Sequence, residues 1–404
     1  MDYIRMIPSY ISMFTPKSLG QLILAFFNSL LIMFGSVFVG WGLLPNPLTV
    51  EPTVFVSENE YQIVWETKYP SAAWVTVDGE RFTDSLAGSL VWDQNIHKVS
   101  VPVDRLDDAG RYEISWQHVM RDVIATEKGN HNAKTYSFRP IDFSDGLQIY
   151  NISDTHSIMS PGAETAGYWG DKLDLLILNG DIASDLLVPG MRTDIMRLAW
   201  AIAQGERPVL YARGNHETRG PASVGFHRYA GCPGEDRWYF TTRIGPLWIA
   251  VYDYGEDKND GHVEYAGLVD FARYRERQTA FFDRVIANAD REYGAEGVEY
   301  RLLVSHIPAG DEPAWMDQAN QMGLDLALHG HWHSTQYYAP SEFIRNNGAP
   351  ANYPVIIGSK PSHDLDSNDI FTATAVDIGT ESIGAWFTNQ NHDVVSTLPV
   401  IPRS

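Results

Sequence analysis

Five short apolar runs in this 404-residue chain each end on residues that can bind metals or move protons. Gln148 to Ile152 leads into Asp154-Thr-His156, and Leu173 to Leu178 leads into Asn179-Gly180-Asp181. Val209-Leu210-Tyr211 precedes Arg213-Gly214-Asn215-His216-Glu217. Arg301 to Val304 precedes Ser305-His306-Ile-Pro308, and Leu324 to Leu328 precedes His329-Gly330-His331-Trp332-His333. This pattern constrains the fold most, because open α/β sheets bind ligands beyond the carboxyl ends of their strands. Carboxylates, an amide oxygen and imidazoles gathered at one such edge are the donors of a metal site. A similar triplet, Gly129-Asn130-His131, lacks the apolar run before it and reads as a hairpin turn.

Charge and cysteine content narrow the function. A net charge of −21 argues against nucleic acid and anionic lipid as partners bound through basic patches. It also repels polyanionic substrates unless metal ions reverse the sign locally. The single cysteine, Cys232, excludes an intrachain disulfide, and its Gly-Cys-Pro-Gly setting reads as a structural thiol.

Ser18 to Val50 carries no charged residue, and Leu22 to Leu44 is almost wholly apolar. That length predicts an uncleaved transmembrane helix over 21–45, with secretion after signal cleavage as the alternative. Arg5 and Lys17 before it and Glu51 and Glu58 after it place residues 1–20 in the cytoplasm and the rest outside. Ser36-x-x-x-Gly40 offers a close-packing helix face. Residues 46–143 alternate in polarity, with strands at Tyr61–Thr67, Ala73–Val77, Lys98–Val101 and Arg111–Trp116 and a hairpin at Asp78-Gly79. They predict a β-sandwich of fibronectin or immunoglobulin type, with Leu106, Gly110 and Tyr112 as a tyrosine corner and Trp65, Trp74, Trp92 and Trp116 as core. Residues 144–404 alternate strand and helix: helices are expected over Thr193–Gln204 and Val263–Asn288, and strands over 237–241 and Leu247–Tyr252.

Asp154-x-His156, Gly180-Asp181, Gly214-Asn215-His216-Glu217, His306 and Gly330-His331-x-His333 together resemble the ordered motif set of the calcineurin-like metallophosphoesterases. The sandwich ahead of them resembles that of purple acid phosphatases. The resemblance implies an α/β fold, a four-layer αββα sandwich, and a pair of divalent cations, for which this donor set suits Mn, Fe or Zn. It implies that Asp154, His156 and His333 hold one cation, that Asn215, His306 and His331 hold the other, and that Asp181 bridges them. Water ionised between the cations would attack a phosphomonoester or phosphodiester, His216 would protonate the leaving group, and Glu217 would orient its ring. Purple acid phosphatases carry glycine where His156 stands and tyrosine where Ser184 stands, so their iron-tyrosinate colour is not expected; Asp185 lies next door. His329 reads as a polar residue behind the ligands, while Arg213, Tyr252 and Tyr254 are weaker candidates for the pocket lining. Two rivals are a non-catalytic surface adhesion protein with a structural metal site and a phosphodiesterase of the envelope or of lipid headgroups.

Overall fold

The computed structural model describes residues 19–121, 125–308, 312–344, 350–359 and 371–403. Arg5, Lys17 and His363 lie outside them. The apolar runs are strands: Leu147–Ile152, Leu175–Asn179 and Pro208–Ala212 in one sheet, Tyr300–Ser305 and Leu326–His329 in another. Their residues are buried nearly without exception. Continuous apolar character, rather than alternation, is what parallel strands covered on both faces require.

The two sheets pack face to face. Ile149, Ile177 and Leu210 from the first share a core with Ile249, Leu302, Leu328 and Ile356 from the second. The first sheet's other face carries Tyr150, Leu176 and Tyr211 against Ile195, Met196 and Leu198 of the helix Asp194–Ala203. The second sheet's other face packs Trp248, Leu303 and Ala327 against Phe282 and Val285 of the helix Phe271–Ala287 and Met316 and Ala319 of Pro313–Gln321. Helix, sheet, sheet, helix is the expected layering.

The N-terminal strands do not form a closed module of their own. Leu48–Ser57 pairs in parallel with Pro208–Ala212, with Val54 opposite Pro208 and Val56 opposite Leu210. Glu60–Thr67 and Ile96–Pro102 follow it, so three strands extend the first sheet to ten. Four others, in the order Glu80–Thr83, Ser71–Val77, Arg111–Arg121 and Glu127–Ser137, form a second layer over this extension. Ala73, Val75, Ile114 and Trp116 meet Tyr61, Ile63 and Trp65 in the same core that runs between the two large sheets. The expected sandwich over 46–143 is thus one wing of the whole sheet. The tyrosine corner fails for the same reason: Tyr112 donates to Gly205 O, across the junction, at 2.9 Å.

Other local expectations divide. Asp78 and Gly79 turn the expected hairpin with φ of 47° and 83°, as a turn with two left-handed residues does. Gly129-Asn130-His131 is no turn but the inside of a strand, where His131 stacks on Trp74 at 5.2 Å. Of the tryptophans expected as core, Trp65 and Trp116 are buried, while Trp74 and Trp92 are half-buried. The strand expected over 237–241 begins at Phe240. The helix expected from Val263 begins at Phe271, because Ala266 and Gly267 take φ of 48° and 76°, and Asp260 reaches back to accept the Phe271 N–H at 3.0 Å.

An N-terminal helix runs Leu19–Gly40. Its side chains are described over 24–30 and 33–40, and among the described residues no helix is long and apolar enough to cross a membrane. The span expected over 21–45 is therefore not found there. Ser36 and Gly40 pack on this chain rather than on a second helix: Ser36 Oγ lies 3.1 Å from His118 Nε2, and Gly40 lies against Met120.

Candidate metal centre

Every strand that carries a candidate ligand ends at the same edge, and the loops beyond bend sharply. Asp154, His156, Asp181, His331 and His333 all have positive φ, between 45° and 72°. Non-glycine residues avoid that region at some cost, and clusters of them mark functional sites. Gly180 has a φ of 76°, and a Cβ on it would lie 2.6 Å from both Gly214 Cα and His306 Cγ. Only glycine lets the loops of Asp181, Asn215 and His306 come together.

The side chains gather into three overlapping groups, with His156 and Asp181 each belonging to two of them. Asp154, His156 and His333 have ligand atoms within 4.8 Å of one another, as do His156, Asp181 and His216, and as do Asp181, His306 and His331. His333 Nε2 lies 3.4 Å from Asp154 Oδ1 and 3.1 Å from His156 Nε2. His306 Nε2 lies 3.1 Å from Asp181 Oδ2 and 3.9 Å from Asp154 Oδ1. Each carboxylate spends one oxygen on the backbone. Asp154 Oδ2 accepts from His331 N at 3.1 Å, and Asp181 Oδ1 accepts from His216 N at 2.9 Å. Their other oxygens face the imidazoles. Asp154 Oδ1 is buried, and among the described residues no hydrogen bond of standard geometry reaches it.

These residues fit a pair of divalent cations. One end of the Asn215 amide faces His331 Nδ1 at 3.1 Å and Asp181 Oδ2 at 3.3 Å, and the other faces Arg219 Nη2 at 2.7 Å. With its oxygen inward, amide, imidazole and carboxylate all aim lone pairs at one point, which a cation requires and a hydrogen-bond network forbids. Electrostatics agrees. Burial disfavours a charged His306, yet Asp181 and Asp154 outweigh it and raise its pKa to about 10. Burial alone would raise Asp181, but His306 and then His216 hold it well below the usual carboxylate range. In the protein alone a proton on His306 supplies the positive charge these carboxylates demand. A dication would take over that charge and leave the ring neutral. His156 is already neutral, lowered to about 4 by burial.

Residues around the ligands fix their orientation. His306 Nδ1 is held by Asn179 O at 2.6 Å, which turns Nε2 to the centre. His331 Nε2 is held by Asp257 Oδ2 at 3.3 Å, which turns Nδ1 inward; that hydrogen bond keeps the Asp257 carboxyl well below its usual range. His216 Nε2 lies 3.9 Å from Asp181 Oδ2, so the ring stands beside the centre. Its Nδ1 meets Ser184 O and lies 3.5 Å from Asp185 Oδ1. Ser184 and Asp185, not Glu217, therefore orient it. Glu217 is buried beneath the loops and accepts from Asp181 N at 2.9 Å, Ala183 N at 3.0 Å and Gly214 N at 3.1 Å. Burial and then Asp181 raise its pKa to about 7. It is the strut that holds the Asp181 and Asn215 loops together.

The weaker candidates stay outside the centre. Arg213 is half-buried and paired with Asp253 at 2.6 Å, and Tyr252 and Tyr254 pack in the core around Trp315. His329 is buried with Nδ1 3.0 Å from Ser305 O, and burial lowers its pKa to about 4, as befits a polar residue behind the ligands. Sequence reasoning missed Asp257, Arg219 and Glu256. Glu256 and Asp257 lie in an acidic stretch after Tyr252, and nothing in the sequence marks Arg219.

The calcineurin-like phosphoesterase family model matches residues 147–335. No curated protein matches the chain. Among solved structures, purple acid phosphatase PPD1 from yellow lupin (Lupinus luteus) seeds is similar at 13% identity and a TM-score of 0.56, over 89% of this chain and 75% of that one. PhoD is similar at 11% identity and a TM-score of 0.48, over 87% and 91%. Calcineurin-like phosphoesterase YfkN from Bacillus subtilis is similar at 14% identity and a TM-score of 0.34, over 64% and 91%. The lupin likeness speaks to the fold, and the matched segment to the family. Residues 147–335, which hold all five strands that carry the candidate ligands and the loops beyond them, are a calcineurin-like phosphoesterase domain.

Proposed function

We propose that this phosphoesterase is a dinuclear metal-dependent hydrolase of phosphomonoesters or phosphodiesters. Asp154, His156 and His333 hold one cation, Asn215, His306 and His331 hold the other, and Asp181 lies between them. The observation that carries the reading is the run of overlapping groups in which His156, Asp181 and His216 join Asp154, His156 and His333 to Asp181, His306 and His331. Mn, Fe and Zn suit these donors, and when bound they supply an ionised water at neutral pH and charge for the phosphoryl oxygens. The protein's own part is to aim and to move a proton. Ser184 O fixes a hydrogen on His216 Nδ1, so Nε2 is the nitrogen that delivers a proton to the departing alkoxide. Asp185 and Asp181 flank the ring and compensate its charge when both nitrogens carry hydrogen. His216→Ala is expected to keep the metals and to slow esters of poor leaving groups by about 10²–10⁴-fold, with far less effect on activated aryl esters. Equal losses on both would remove the acid role.

We also propose that the N-terminal helix is a single-pass membrane anchor with the catalytic part outside. Leu24, Phe26, Phe27, Met33 and Phe34 on it are each more than half exposed, which an aqueous setting does not favour. Strand polarity then bears on the lipid-headgroup alternative. The helix packs beside Tyr69, His118 and Met120, near Leu48, where Leu48–Ser57 begins. The metal centre lies at the opposite edge, beyond the end of the parallel strand Pro208–Ala212, about 30 Å from Leu48 along the ten residues of Leu48–Ser57. The centre so faces away from the bilayer that would hold the helix, which favours a substrate reached from solution. The adhesion alternative has no use for His216 beside the ligands, since a structural site needs no proton donor.

A further inference from the structure

We infer that Arg219 grips the phosphoryl oxygens of the substrate, a role that rests on the phosphoesterase reading above. The turn His216–Thr218 brings Arg219 back over His216, three residues earlier. From there Nη1 lies 3.0 Å from His216 Nε2, and Nη2 lies 2.7 Å from the outer end of the Asn215 amide. The nitrogen that delivers the proton and the guanidinium are therefore neighbours. An oxygen placed to receive that proton puts the other oxygens on phosphorus within reach of Arg219.

Arg219 is held for this from behind. Its Nε and Nη2 donate to a single oxygen of Glu256, at 3.1 and 2.8 Å. Glu256 is wholly buried and is itself fixed by the Tyr265 hydroxyl, the Asp257 N–H at 3.0 Å and Lys258 Nζ at 3.4 Å. One side of the guanidinium is thus locked, while the other points at the centre. Its protein partner there is not a lasting one. When the Asn215 oxygen turns inward to a cation, the amide NH2 turns outward, and donor meets donor at Arg219 Nη2. The loaded site leaves that N–H in want of an acceptor, and a phosphoryl oxygen is the acceptor the substrate brings. A guanidinium fork matches phosphate oxygens in pairs. The more obvious arginine, Arg213, is paired with Asp253 and lies 5.3 and 5.5 Å from the Trp238 and Tyr274 rings.

The test uses the full chain loaded with Mn or Zn, inorganic phosphate as the probe, calorimetric titration for its affinity and elemental analysis for bound metal. R219M is expected to keep its metals and to bind phosphate about tenfold or more weakly, the size of a lost charge-assisted contact. R219K, which keeps the charge and loses the fork, is expected to fall between. Wild-type phosphate affinity in R219M overturns the role. Should R219M fail to fold by circular dichroism, R219K decides: unchanged affinity overturns the role, and a weaker one supports it. A wild-type protein that binds neither metal nor phosphate brings down the phosphoesterase reading itself. One that binds both, equally well in both variants, removes only Arg219.

Discussion

The seven candidate ligands stand out in the sequence because each is a metal-donor residue type placed just past an apolar run, and their order is itself informative. What their neighbours do was not. Glu217 was expected to orient His216, yet its carboxylate serves three backbone N–H groups, and backbone donors leave no mark on a sequence. Arg219 became visible only when a turn folded it back on His216. His97 is another residue whose role follows from burial. It packs against Trp65, with Nε2 3.0 Å from Thr67 Oγ1, and burial, then Arg228, lower its pKa from 6.5 to about 3. The unfolded ring takes a proton below its ordinary pKa while the folded ring stays neutral. Stability is therefore complete above that value and is lost as the pH falls toward about 3, by up to about 1.4 kcal/mol per unit. His97→Gln removes that loss. In urea unfolding, the stability gap between wild type and variant is expected to narrow by about 2 kcal/mol between roughly pH 7 and pH 5. A constant gap would mean that His97 is not held neutral by the fold.

Elements with a single strong period were read nearly to the residue, as with the helix Asp194–Ala203 and the strand Leu247–Tyr252. The stretch before Phe271 was not, because its helical pattern is overruled by tertiary contacts. Lys258 and Arg219 both bind Glu264, at 3.2 and 3.7 Å, and hold the segment in a loop beside the centre. That loop places Asp257 on His331. Asp257→Asn is expected to weaken one cation by about 10–100-fold, the one held on the side of His306 and His331, and to spare the other. Metal titration followed by elemental analysis distinguishes the two. Equal weakening of both cations would mean that Asp257 acts through the net charge of the loop rather than through His331.

The larger of the two central sheets carries an N-terminal wing that was hidden from sequence reasoning. Alternation shows that Leu48–Ser57 is a strand, but not which strand it lies against, and its partner Pro208–Ala212 is about 150 residues away. The wing sets the direction in which the N-terminal helix leaves. Expressed with residues 1–45, the protein is expected to stay in the membrane fraction through alkaline carbonate, and without them to be released; release of both forms would remove the anchor. The centre itself is tested most directly by counting its metals against its turnover. A chain beginning at Asn46 is stripped with chelator, titrated with Mn, Zn or Fe, and followed on mono- and bis-aryl phosphate esters. Hydrolysis is expected to appear as the second cation binds, and Asp181→Asn to abolish it together with the paired binding. Turnover that survives chelation, or that Asp181→Asn leaves untouched, would contradict the account.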